Sequence, residues 1–186
     1  VHRQYIEAGS RMIQTNTFGA NVYKLARHGL EDKVAEINRA AVELLRRVSY
    51  AMFQDVIIAG DVGPLGVRLA PFGRVQPEEA HNAFCQQITA LVEAGVDVLI
   101  IETMTDLYEV HEAIRAARDI NPDIPIIASM TFTRDDRTVL GDDPAKVAHK
   151  MRSFGVDVIG VNCSGGPNQL LRILKLMREA NPEGYF

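Results

Sequence analysis

Five apolar runs, each closing on polar residues, punctuate the chain. They lie in "EAGSRMIQTNT" (7–17), "DVIIAGDVGP" (55–64), "EAGVDVLIIET" (93–103), "IPIIASMTF" (124–132) and "SFGVDVIGVNC" (153–163). The runs are continuous rather than alternating, the pattern of parallel strands covered on both faces. The first, third and fifth also share a lead-in: a helix tail followed by glycine. Glycine suits the position just past a helix end, where a positive φ costs it nothing.

Amphipathic segments separate the runs. "EDKVAEINRAAVELLRRVSYAM" repeats apolar residues at Val34, Ile37, Ala41, Leu44, Leu45 and Val48, a single helix face. "QPEEAHNAFCQQITALVEAG" opens with Pro77 in the first helical turn and stops at Gly95. Asp106 and Glu109 are spaced as a capping box at the start of "DLYEVHEAIRAARDI". Asp143 and Pro144 open "DPAKVAHKMRSFG", while Pro167 opens the last helix and Pro182 lies beyond its end. Strand and helix alternate five times, which predicts an α/β fold with a parallel sheet and right-handed crossovers. A doubly wound sheet would be complete at this length. A (β/α)8 barrel needs roughly 250 residues, so this chain would hold about five of its units. The internal repeat favours the barrel, because each strand ends the same way. The polar endings would then meet on one face: Thr15 to Thr17, Asp61, Glu102 with Thr103, Ser129 with Thr131, and Asn162 with Cys163.

Composition narrows the function classes. The chain has 186 residues, 47% hydrophobic and 24% charged, as expected of a globular domain. A net charge of −4 and scattered basic residues argue against a nucleic-acid surface. No apolar run approaches a membrane span, and no signal peptide is visible. Two distant cysteines make no disulfide framework, so a cytoplasmic setting is expected. Val1 opens what reads as the middle of a helix, which points to a segment of something longer.

Cys163 ends a strand at the mouth of the glycine-rich "CSGGP", where a thiolate could act as nucleophile or metal ligand. A buried structural thiol is the plainer alternative. Cys85 sits on the apolar side of its helix and is expected in the core. Glu102 closes "VLIIE", and a carboxylate so placed needs a partner. That partner is either a substrate ammonium or the N-terminus of a following helix. The loop "QTNTFGAN" could hold a carboxylate through its backbone amides, or simply cap a helix. "GDVGPLG" and "CSGGP" match no nucleotide fingerprint. His2, His28, His81, His111 and His149 lack metal-binding spacing and are expected to be structural or exposed. "TRDDRTVLGDDP" reads as a mobile loop rather than a metal cage.

Together, "QTNTFGAN", "GDVGPLG", "ETMTDLYEV", "SMTF" and "GVNCSGGP" resemble the homocysteine S-methyltransferase family, in order and over essentially the whole chain. The resemblance extends to the homocysteine modules of cobalamin-dependent methionine synthases and of bifunctional methyltransferases fused to methylenetetrahydrofolate reductase. It implies a (β/α)8 TIM barrel of which residues 1–186 are a fragment of one domain, strands two to six, without the first and last strands. It implies that Cys163 is one of three zinc-binding cysteines, the other two forming an adjacent pair at the end of the last strand. Zinc would hold homocysteine as a thiolate, which attacks an electrophilic methyl group to give methionine. Glu102 would hold the homocysteine ammonium, the backbone around Thr17 and Phe18 its carboxylate, and Asn162 would support the site beside the metal. With Cys163 alone the zinc site is incomplete, so the chain by itself is expected to be inactive. The methyl donor is left open among methylcobalamin, S-methylmethionine, S-adenosylmethionine and betaine, as are cobalamin, folate or reductase domains as partners. The alternative is a non-catalytic partial barrel, or an amino-acid-binding relative lacking the metal.

Overall fold

The computed structural model describes residues 1–186. Strands and helices alternate, with two helices between the first two strands: α1 (His2–Glu7), β1 (Met12–Gln14), α2 (Val22–Ala26), α3 (Val34–Ala51), β2 (Ile57–Val62), α4 (Pro77–Glu93), β3 (Val98–Met104), α5 (Leu107–Ile120), β4 (Ile126–Met130), α6 (Pro144–Ser153), β5 (Val158–Val161) and α7 (Pro167–Ala180). The five strands are all parallel and lie in the sequential order β1-β2-β3-β4-β5. A doubly wound sheet reverses its strand order at a switch point. No reversal occurs here, so the sheet is that of a partial barrel. Beyond α7, Tyr185 forms a parallel bridge with Val158, and Ile159 N–H donates to the Tyr185 carbonyl at 2.9 Å. The last residues thus start another parallel ladder beside β5.

The two faces of the sheet differ. Ile58, Leu99, Ile101, Ile126, Ala128 and Ile159 are buried in the core shared with the helices. On the opposite parity Met12 and Ile57 are exposed, and Ile100, Ile127 and Val158 are only half-buried. That second face is the one a closed barrel would turn inward.

The repeated lead-in has a structural cause. Gly9, Gly95 and Gly155 follow the last residues of α1, α4 and α6 with φ of 100°, 90° and 79°. In two of these units an aspartate comes next but one. Asp97 Oδ2 accepts from Ile58 N–H at 2.7 Å, and Asp157 Oδ2 accepts from Ile126 N–H at 2.8 Å. Each aspartate therefore satisfies a donor at the start of the preceding strand. An arginine locks each unit: Arg46 donates to the Gly95 carbonyl and lies 3.7 Å from Asp97, and Arg118 donates to the Gly155 carbonyl at 2.7 Å and to Asp157 at 2.9 Å.

Local expectations shift in four places. In α3 the buried stripe is Val34, Asn38, Val42 and Leu45, while Leu44 is exposed. Buried Asn38 is satisfied because its Nδ2 donates to the carbonyls of Ala20 and Val34 at 2.8 and 2.7 Å. Asp106 caps α5 by accepting from Tyr108 N–H at 2.7 Å, but Glu109 does not complete a capping box. It turns inward and accepts from Leu65 N–H at 2.7 Å. Cys85 is half-buried, its Sγ 3.4 Å from Nε2 of buried His81. The loop after β4 is anchored to α7: Arg172 binds Asp136 through two nitrogens at 2.7 and 2.8 Å, and Gln169 donates to Asp136 and to the Thr133 carbonyl.

Candidate active site

The carboxyl ends of the strands place a polar row on the inward face. Gln14 of β1 lies opposite Ala59, and Asp61 is two residues farther along β2. Asp61 in turn lies opposite Ile100, with Glu102 two residues farther along β3. Same-parity steps of two keep all three side chains on one face. Asn162 follows the end of β5.

Glu102 is held from both sides. Its Oε1 accepts from Gln14 Nε2 at 2.5 Å, and its Oε2 accepts from Asn162 Nδ2 at 2.6 Å and from Thr103 Oγ1 at 3.1 Å. Its partners are therefore side chains of β1, of β3 itself and of the β5 end, with no helix N-terminus among them. Asn162 Oδ1 accepts from Thr103 N–H at 3.0 Å, and Nδ2 also donates to Thr103 Oγ1 at 2.9 Å. Thr103, Cys163 and Ser164 have φ of 60°, 62° and 59°, in the left-handed region that non-glycine residues avoid. Each such residue costs on the order of 1–3 kcal/mol and clusters at functional sites. Here the outliers flank the Glu102–Asn162 bond.

Cys163 is exposed and free at the mouth of this row. Cys85 belongs to α4, and no three His, Cys, Asp or Glu side chains come together as metal ligands. Within these residues, one thiol falls short of the three or four ligands a zinc ion takes.

Thr17 and Phe18 lie in the loop after β1. Thr17 Oγ1 donates to the Asp61 carbonyl at 2.7 Å and lies 2.7 Å from Thr15 Oγ1. Gln87 of α4 donates to the Thr17 carbonyl at 2.8 Å. The N–H groups of Asn16, Thr17, Phe18 and Gly19 donate to no backbone carbonyl. A run of such amides can receive an anion. Lys24 Nζ sits 4.3 Å from the centroid of the Phe18 ring.

Asp61 was legible only as a strand ending, not as a site residue. It is 5% exposed, and its Oδ1 has no hydrogen-bond partner. Burial pushes its carboxyl up to about 7, and the charge of Glu102 adds to the rise; the Gln14 amide, Lys24 and the Phe18 N–H pull it back. An unpartnered buried carboxyl oxygen beside a second carboxylate is a place for a cation. The signal was the one that marked Glu102, an acid closing an apolar run.

A family model for homocysteine S-methyltransferases matches residues 1–185. The chain is 27% identical over 182 residues to methionine synthase of Mycobacterium leprae, covering 94% of this chain and 15% of that protein. It is 30% identical over 183 residues to betaine–homocysteine S-methyltransferase 1 of Mus musculus, covering 96% of this chain and 43% of that protein. The chain thus spans less than half the length of these relatives. The oxidised form of the homocysteine methyltransferase MmuM of Escherichia coli superposes with a TM-score of 0.74 at 21% identity, over 97% of this chain and 75% of that one. At that identity the structural likeness speaks to the fold. The family match over nearly every residue, on a sequentially ordered parallel sheet, places the chain in the homocysteine S-methyltransferase family.

Proposed function

We propose that this chain supplies the amino-acid-binding part of a barrel that transfers a methyl group to the thiol of homocysteine, giving methionine. The observation that carries the reading is the row of Gln14, Asp61, Glu102 and Asn162 beside exposed Cys163. Asp61 and Glu102 offer two carboxyls to the substrate ammonium, and the backbone amides around Thr17 and Phe18, which donate to no backbone carbonyl, would receive its carboxylate. Held through the ammonium and carboxylate on its α-carbon, the substrate has its thiol, two methylenes away, free to reach the Cys163 side of the site. The thiol gives its proton to solvent; its sulfur then bonds to the methyl carbon as the methyl–donor bond breaks, and that electron pair leaves with the donor. Positioning of this kind removes much of the entropic cost of a bimolecular step.

Zinc belongs to this reading as the group that would keep a thiol ionised near neutral pH, with Cys163 as one ligand. The described residues do not fit the ion unaided, because no group of three His, Cys, Asp or Glu side chains forms around Cys163. The chain on its own is therefore expected to hold no stoichiometric zinc and to be inactive. A donor such as methylcobalamin or S-methylmethionine, and cobalamin, folate or reductase domains, are the partners this reading allows. No helix is long and apolar enough to cross a membrane, and a cytoplasmic setting stays part of the proposal.

The test is metal content and homocysteine binding in the full-length protein, wild type beside Cys163→Ser. About one zinc per chain in the wild type, lost in the variant, is the expected result. The alternative is an amino-acid-binding relative that lacks the metal. Homocysteine binding without zinc in either protein would establish that alternative.

A further inference from the structure

Asn162 has two side-chain N–H donors and one carbonyl acceptor. All are engaged within the protein, by Glu102 Oε2, Thr103 Oγ1 and Thr103 N–H. Its backbone is fixed as well: the N–H donates to the Met130 carbonyl at 3.2 Å, and the carbonyl accepts from Thr131 Oγ1 at 3.0 Å. The side chain reaches from the end of β5 across β4 to β3. Small residues line the strand pair it crosses. A Cβ at Gly160 would lie 2.4 Å from Ser129 Oγ. Gln14 restrains the other oxygen of Glu102 from the β1 side. A carboxylate has about four acceptor positions. Asn162, Thr103 and Gln14 use three of them and fix the plane in which the remainder points.

We infer that Asn162 is a positioning residue: it does not touch the substrate, but sets the orientation in which Glu102 receives the substrate ammonium and ties that carboxylate to the strand end bearing Cys163. The inference rests on the reading of Glu102 given above. It explains why the chain tolerates positive φ at both Thr103 and Cys163, the residues that bracket the bonds between Glu102 and Asn162.

The test is binding to the full-length protein of two ligands, L-homocysteine and 4-mercaptobutanoate, which lacks the ammonium. Asn162→Ala should raise the Kd for L-homocysteine about tenfold or more and that for 4-mercaptobutanoate less than about twofold, with metal content unchanged. In a Glu102→Gln background the same change should add little, because coupled residues are non-additive. Thr103→Val removes one link of the same network and should show the same ligand selectivity, so it decides the matter if Asn162→Ala does not fold. Equal weakening of both ligands, loss of metal, or a full effect in the Glu102→Gln background would overturn the inference. If Glu102→Gln itself fails to separate the two ligands, the reading of Glu102 falls instead.

Discussion

Two carboxyls near the strand ends, Asp61 and Glu109, are pushed up to about 7, in both cases chiefly by burial. They differ in duty. Asp61 keeps an unpartnered oxygen, whereas Glu109 accepts the Leu65 N–H that shapes the loop after β2. Glu109 ordinarily titrates at 4.5. From that pH to about 7 the unfolded chain gives up the proton while the folded chain keeps it. Stability attributable to Glu109 therefore falls as pH rises through this window and levels off above it. Glu109→Gln keeps an acceptor for Leu65, so it should raise the urea midpoint at pH 8 and leave it unchanged near pH 4. An equal shift at both pH values would show that the ionisation of Glu109 is irrelevant. The sequence marked Glu102 because an acid closes an apolar run. It misled at Glu109, whose helix-start spacing resembles a cap while its partner lies far away in the chain. Cap spacing is local information; a hydrogen bond to Leu65 is not.

At the scale of elements, α4 does more than cover the sheet. Gln87 is fully buried, and its Nε2 reaches the Thr17 carbonyl at 2.8 Å and Asn38 Oδ1 at 3.3 Å. One helix thus fixes both the loop after β1 and the face of α3. Gln87→Leu leaves buried Asn38 Oδ1 without its donor and the Thr17 carbonyl with the Ala20 N–H alone, and an unsatisfied buried acceptor costs about 1–3 kcal/mol. The expected outcome in urea unfolding is a loss of that size, together with weaker L-homocysteine binding through the slackened amides at Thr17 and Phe18. Retained stability would mean that water replaces the amide. Strand and helix order was readable from apolar runs and from Gly95, Gly155, Pro77 and Pro144, because those signals are periodic or local. The buried polar pair Asn38–Gln87 was not, since nothing in an amphipathic pattern distinguishes a buried amide from an exposed one.

For the whole molecule, sequential strand order decides for the barrel over the doubly wound sheet, and the resemblance of five spaced motifs finds its counterpart in the family match over residues 1–185. The half-open inward face, with exposed Met12 and Ile57, and the unpaired side of β1 favour association. Residues 1–186 alone should therefore run larger than a monomer in light scattering; a clean monomer would show that the open face is tolerated. The Gly–Asp–Arg clamps of Gly95–Asp97–Arg46 and Gly155–Asp157–Arg118 sit at the starts of the strands, away from the polar row. That separation divides the molecule into a chassis and a workbench. Fold-holding contacts repeat at one end, and the loops at the other are free to diverge. Recombining loops between relatives with different methyl donors can then change the chemistry while leaving each clamp, and the strand pairing it guards, intact.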